Sequence, residues 1–545
     1  MTALEQKLLQ DGLVAEQALT QAREIAGRTF RPLAEVLVEN DLVDEADLLK
    51  IVAEQHGLAF LKLKDLAIDP AVIRCVPAKL ASHYTIMPVN LEGGTLTIAV
   101  SSVMDTAAAE DIETNLGYQV DRALACKADI SSALRRYYGV GADTVERILA
   151  DDRGRLDGTI SLDESHDLEK MAEDASVVRL VNQLLQEAIG ARATDIHLEI
   201  GRDEVKVRRR VDGILYDTRL PHNIKVLYPA IISRIKLMSG LNIVERRLPQ
   251  DGRSRVSIGN DAYDLRISVV PSVHGEDVVA RILPSTMLFD LQELGFSGDH
   301  LQSLQDLIRS PHGIIFVTGP TGSGKSTTLY ACLSRLNTKE RKIITIEDPV
   351  EYELKGITQT QINPKIGLTF AHALRSMLRH DPDIMMVGEV RDRETAEIAI
   401  QTSMTGHLVL STLHTNDAAA GAVRLIDMGV DPYLITSTVL VFVAQRLVRL
   451  ICSGCKEKYE RDGQTLYRGT GCRQCNNSGY HGRIAISEFI PLVQDVQEAI
   501  LRRESARELR ARADSLGMST LAADGWNKVS RGLTTAEEVL RVTKM

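Results

Sequence analysis

The chain has 545 residues, 44% of them hydrophobic and 25% charged, with a formal net charge of −10. At roughly 150 residues per domain that length implies about three to four domains, and the composition excludes wholesale disorder and fibrous repeats. An acidic balance with only 4% aromatic residues disfavours a protein that neutralises a nucleic-acid backbone or stacks on bases.

The longest apolar stretch, Tyr433 to Ala444, is interrupted by Thr436, Ser437 and Thr438. It falls far short of the roughly 20 residues that a membrane-spanning helix needs. The first residues carry Glu5, Lys7, Asp11 and Glu16 among scattered leucines, unlike a secretory leader, so the expected location is the cytosol. Seven cysteines do not make a disulfide scaffold in a chain this long. Cys75, Cys126 and Cys332 have apolar neighbours and are expected in the core.

Residues 1–140 read as an N-terminal domain. Its first 55 residues hold two similar helical pieces, Leu9-Gln10-Asp11-Gly12-Leu13-Val14 and Leu37-Val38-Glu39-Asn40-Asp41-Leu42-Val43, each followed by an acidic helix start. The spacing of Ala18, Leu19 and Ala22, and again of Leu48, Ile51 and Val52, predicts a duplicated helix-turn-helix unit. Ile86-Met87-Pro88-Val89 and Leu96-Thr97-Ile98-Ala99-Val100 flank Glu92-Gly93-Gly94, a hairpin signal inside a small α+β unit that ends near Tyr138-Gly139. Residues 141–175 hold 11 acidic against 4 basic residues, with Gly154 and Gly158 and few large apolar side chains, and read as a linker. Order resumes in a second domain, 176–290, with the helical face Val177, Val178, Leu180, Val181, Leu184 and Leu185 and strands at Glu204 to Val211 and Ala262 to Val270.

The last block, 291–545, alternates near-continuous apolar strands with helical patterns, as in an α/β domain whose parallel sheet is covered on both faces. The candidate strands are Ile314 to Thr318, Ile343 to Ile346, Ile384 to Val387 and Leu408 to Ser411.

Between the first of these strands and a helix lies Gly319-Pro320-Thr321-Gly322-Ser323-Gly324-Lys325-Ser326, a complete phosphate-binding loop pattern, with Thr327 following. Glycines there let successive backbone N–H groups converge on a phosphate at a helix N-terminus. Lys325 would meet β/γ-phosphate charge and the Ser326 hydroxyl would ligate Mg2+, which makes ATP the expected ligand.

Gly388-Glu389 stands at the end of the third strand, where the carboxyl ends of neighbouring strands face one ligand. Glu389 is the candidate general base or water-orienting residue. The usual magnesium-binding Asp is replaced by Gly388, and Glu347, at the end of the second strand, could act on the metal through a water. A strand-end carboxylate also serves as a helix cap or a solvated loop charge. His414 ends the fourth strand, as either a γ-phosphate sensor or a hydrogen-bonded core histidine.

Cys452-Ser453-Gly454-Cys455 and Cys472-Arg473-Gln474-Cys475 are separated by 16 residues, the spacing of a four-thiolate zinc ribbon within 450–485. Arg446, Arg449, Lys456 and Lys458 are expected to stabilise the thiolates.

The phosphate loop, Ile346-Glu347-Asp348-Pro349-Val350-Glu351, Val387-Gly388-Glu389-Val390-Arg391-Asp392 and the segment ending at His414 together resemble the ATPases of bacterial type II secretion and type IV pilus assembly. In the second domain, Ala193 to Glu199, Arg247 to Arg253 and Asp264 to Ser268 resemble the same family's signature segments. The resemblance implies a RecA-like ATPase domain preceded by a PAS-like α+β domain, catalytic roles for Glu347 and Glu389, and His414 at the nucleotide. It further implies that Arg253 and Arg266 contact phosphate, as a fixed guanidinium fork does well.

The implied assembly is a homo-hexamer at the inner membrane. Its partners would be the cytoplasmic domain of an inner-membrane secretion protein and the polytopic inner-membrane platform protein, with no nucleic acid. The segment Pro271 to Glu276 looks closer to the secretion branch than to the pilus branch.

Some N-terminal domains of the family bind cyclic di-GMP through Leu-Gly and Gly-Leu turns. Here Ala34 and Asp41 stand where glycines are expected, so residues 1–140 are expected to dock a partner instead. A helicase and a non-hydrolytic nucleotide switch are the competing classes, distinguished by a basic channel and by the absence of phosphate release respectively.

Overall fold

The computed structural model describes residues 3–29, 31–104, 106–152, 171–221, 223–284, 290–461 and 463–543. The chain forms two compact units, one of Met1–Ile258 with Asp264–Ile282, the other of Leu283–Met545 with Gly259–Tyr263.

The first unit opens with the expected duplication. Helices Ala3–Gln10 and Glu16–Thr29 are echoed by Leu33–Glu39 and Glu45–His56. Both inner turns close with the same bond, Leu13 N to Leu8 O and Leu42 N to Leu37 O, each 3.0 Å. Gly12 has φ 67° and Asp41 φ 53° at the equivalent position. The aspartate therefore adopts the left-handed turn that glycine was expected to require, as Asp and Asn do more readily than other side chains. Leu8, Leu19, Leu37, Leu48 and Ile51 form a shared core.

A four-stranded sheet follows, in the order Ala59–Phe60, Gln119–Leu124, Thr95–Val100, Met87–Glu92. The last two strands make the predicted hairpin. Of the three cysteines expected in the core, Cys332 is buried and Cys75 and Cys126 are half-buried.

The expected linker is only partly a linker. Residues 142–152 form the helix Ala142–Asp152, and Glu146 accepts bonds from the N–H groups of Ala78 and Lys79, at 3.1 and 2.9 Å. Thr144 donates to Gln183, and Val140 N bonds Arg219 O, so the chain on either side of residue 141 is pinned. Apolar Val145 and Ile148 on one helix face give this segment a core to join despite its charge. Gly154, Gly158 and the rest of 153–170 lie outside the described residues.

The helix Ala175–Gly190, capped by Asp174, buries the predicted face except Val178, which is half-buried. A six-stranded sheet then runs Ile214–Thr218, Val205–Val211, Ala193–Ile200, Gly275–Pro284, Asp261–Ser272, Gln250–Ile258. Two of the six strands were expected from the sequence.

The second unit is built on a seven-stranded sheet in the order Thr358–Gln361, Ile343–Glu347, Ile384–Val387, Leu408–Leu413, Gly313–Thr318, Val439–Ile451, Tyr480–Pro491. Every registered pair is parallel except the last. The four expected strands are its centre, and all of their side chains are buried, which accounts for their unbroken apolar character. The long apolar stretch from Tyr433 divides into the end of helix Pro432–Thr438 and the start of strand Val439–Ile451. Among the described residues no helix is long and apolar enough to cross a membrane.

Candidate nucleotide site and thiolate cluster

Strand Gly313–Thr318 delivers the chain to the phosphate loop, and helix Lys325–Leu336 leaves from it. Gly324 sits at the helix N-cap with φ 88°, in the left-handed region that a side chain resists. Ser326 and Thr327 are half-buried in the first turn.

Lys325 Nζ donates to Gly319 O at 2.8 Å and Pro320 O at 3.1 Å, so the ammonium lies inside its own loop. Burial pulls its pKa down to about 8. Nearby Glu389 opposes that fall and nearby Arg446 adds to it. Ser323 Oγ is buried with no hydrogen-bond partner among the described residues. A cradle with a buried cation and an unused hydroxyl fits a phosphate group.

Glu389 is 8% exposed and is gripped on both sides, by Arg391 Nη2 at 2.5 Å and His414 Nε2 at 3.2 Å. Two sequence candidates that follow different strands are thus brought together, and Arg391 is a partner that no sequence pattern singled out. Gly388 has a packing reason to lack a side chain: a Cβ there would lie 3.2 Å from Ile346 O and 3.4 Å from Glu347 Cα.

Glu347 is buried on the neighbouring strand. Its carboxylate accepts from Thr345 Oγ1 at 2.5 Å, from Gln359 Nε2 at 3.1 Å and from the Tyr330 hydroxyl in a short bond. These three bonds hold the carboxylate beside Tyr330 of the phosphate-loop helix. Burial, with Glu347 beside it, pushes the Tyr330 hydroxyl pKa up.

The turn that carries His414 is anchored from two directions. Thr318 Oγ1 meets Thr415 Oγ1 at 2.5 Å, and Arg446 Nη2 donates to Asn416 O at 2.8 Å. Arg446 therefore serves the nucleotide side of its strand and not the cysteines. Arg449 is likewise committed elsewhere, paired with Glu538 at 2.7 Å and stacked over Tyr480, and Lys456 lies over the Tyr467 ring.

The cysteine sulfurs receive backbone donors in place of those cations: Gly471 N to Cys455 Sγ, Cys472 N to Cys475 Sγ and Gly479 N to Cys475 Sγ, at 3.1–3.3 Å. The four sulfurs lie within 4.8 Å of one another, with Cys452–Cys472 at 3.6, Cys472–Cys475 at 3.7 and Cys455–Cys475 at 3.8 Å. Four sulfurs at ~2.3 Å from a central zinc would stand about 3.8 Å apart, so the donor set and its size fit that ion.

Arg253 and Arg266 belong to the first unit, on adjacent strands of the six-stranded sheet, the former exposed and the latter half-buried. His197, on strand Ala193–Ile200, has its pKa lowered by burial.

A phosphate loop at the centre of a parallel sheet, with a buried carboxylate beside its lysine, defines a nucleotide hydrolase. The family model described as "Type II/IV secretion system protein" matches residues 170–541, and the MshEN domain model matches 56–144. The chain is 41% identical to the type IV pilus assembly ATPase PilB of Myxococcus xanthus over 556 residues, covering 98% of each protein. It is 50% identical to type II secretion system protein E of Pectobacterium carotovorum over 397 residues, covering 70% of this chain and 79% of that one. The crystal structure of the ATPase DotB from Yersinia pseudotuberculosis shares the fold, with TM-score 0.51 and 22% identity over 67% of this chain and 93% of its own. The chain belongs to the type II/IV secretion system protein family and is an ATP-binding ATPase of it.

Proposed function

We propose that the chain is the ATP-hydrolysing motor of a type II secretion system, driving assembly of a periplasmic pseudopilus and thereby protein export. The observation that carries this reading is the 50% identity to a type II secretion protein over 397 residues, 70% of this chain.

In the proposed cycle Lys325 and the loop Gly319 to Thr327, through its backbone N–H groups other than at Pro320, bind the phosphates, and Glu389, steered by Arg391 and His414, accepts a proton from the attacking water or orients it. Glu347 is a second carboxylate for that site, available when Tyr330 releases it. Magnesium on Ser326 would neutralise charge developing on the phosphates. Arg253 and Arg266 add phosphate contacts in a homo-hexamer. Cys452, Cys455, Cys472 and Cys475 would hold zinc, which would close the ribbon structurally rather than take part in catalysis.

Residues 1–140 dock the cytoplasmic part of an inner-membrane secretion protein, and the ring works against the polytopic platform protein. The enzyme is thus cytoplasmic and peripheral to the inner membrane.

In the host, a strain carrying only the Lys325→Ala chain should retain exoproteins in the periplasm and keep its surface pili. The 41% identity to PilB along nearly the whole chain favours a second reading, a type IV pilus assembly ATPase. Loss of pili with secretion intact would select it.

A further inference from the structure

Strand Val439–Ile451 runs parallel to the strand that ends in the phosphate loop, and the last residue pair in register is Thr318 with Ala444. The next residue on each strand is Gly319 on one and Gln445 on the other. A Cβ on Gly319 would come 2.6 Å from the carbonyl oxygen of Gln445, and a Cβ on Gly324 would come 2.8 Å from Gln445 Nε2. One residue therefore lies against both glycines that bracket the loop. Its Oε1 accepts a 2.7 Å bond from Thr328 Oγ1, one turn into the helix, and Thr328 N in turn bonds Gly324 O at 3.0 Å. Gln445 is 1% exposed and Thr328 is fully buried.

A buried primary amide costs stability unless it is bonded, and its neighbours Val443, Ala444 and Val448 show what packing alone selects on this strand. The function described so far gives Gln445 no task. We propose that Gln445 is a positioning residue for the ATPase reaction, holding the phosphate-binding loop in its nucleotide-ready conformation before nucleotide arrives.

The inference rests on the family's ATPase activity and not on the choice between secretion and pilus assembly. If only a fraction of loops is competent, the apparent dissociation constant is the intrinsic one divided by that fraction. Bound nucleotide reselects the competent loop, so the defect falls on KM and leaves kcat in place. A residue needed only for folding does the opposite, lowering the active fraction and kcat while KM stays fixed.

The test uses the full chain, with a fluorescent ATP analogue for binding and steady-state phosphate release for turnover. Gln445→Met keeps the length of the side chain and removes the bond. Thr328→Val removes the same bond from the other side at nearly constant volume. Each should raise Kd and KM about tenfold, the scale of one lost buried hydrogen bond, with kcat within about twofold. The double variant should be no worse than either single one, because both delete one interaction. Unchanged Kd in either soluble variant, a fall in kcat at constant KM, or shifts that multiply in the double variant would each overturn the assignment. Should Gln445→Met fail to fold, Thr328→Val decides alone.

Discussion

Burial of Lys325 makes nucleotide affinity depend on pH in a range where ATP itself no longer titrates. The ammonium sits among loop atoms with pKa about 8 instead of 10.5, and desolvation is the main cause. Bound polyphosphate keeps it protonated, so the apparent dissociation constant should grow as 1 + 10^(pH−8), about 1.1 at pH 7 and about 11 at pH 9. A tenfold loss of affinity across those two units is the expected outcome. It is measured by titrating a fluorescent ATP analogue at fixed ionic strength and excess magnesium. Lys325→Arg supplies a flat control, since a guanidinium keeps its proton throughout. Glu389 lifts the lysine pKa, so Glu389→Gln should move the break to lower pH. An affinity constant from pH 7 to 9 would refute the buried-cation argument. The same shift has a definite sign in stability: the unfolded chain binds the extra proton between about 8 and 10.5, so this group's contribution to folding rises with pH through that window.

Glu389→Gln should still bind ATP but hydrolyse it about 10²- to 10⁴-fold more slowly, the usual range for a lost general base, as single-turnover phosphate release will show. Metal analysis should find about one zinc per chain, and Cys472→Ser should lose it along with ribbon stability, because three thiolates leave the tetrahedron open. Mixing Lys325→Ala with Arg253→Ala chains should restore part of the ATPase activity if sites are completed between copies, and activity no higher than the sum of the two alone argues against that.

What the sequence revealed and what it hid differ in range. The phosphate loop and the cysteine pairs are legible because their chemistry needs consecutive residues at fixed spacing. Glu389 and His414 are legible as strand-end polar residues, and the parallel order Ile384–Val387 beside Leu408–Leu413 brings them to 3.2 Å. Strand Val439–Ile451 is hidden in the sequence because the apolar run that leads into it begins in a helix and its second half carries Gln445, Arg446 and Arg449. With that strand missing, Arg446 had only its sequence neighbours, the cysteines, as apparent partners. Its actual partner, Asn416 O, is 30 positions away in the chain.

Glu347 likewise differs between sequence and space. A carboxylate that ends a central strand next to Gly388 belongs to the nucleotide end of the sheet by topology alone. Its direction is set by Tyr330, 17 residues earlier, and by Gln359 on an edge strand of four residues with no apolar pattern of its own. Tyr330 also accepts from the N–H groups of Glu351 and Tyr352, so one phenol links the phosphate-loop helix, the carboxylate and the segment after Pro349. Tyr330 thus links the phosphate-loop helix to Glu347, whereas Glu389 is held by Arg391 and His414 and meets that helix at Lys325. The two glutamates therefore answer to different residues of one helix, Glu347 to Tyr330 and Glu389 to Lys325.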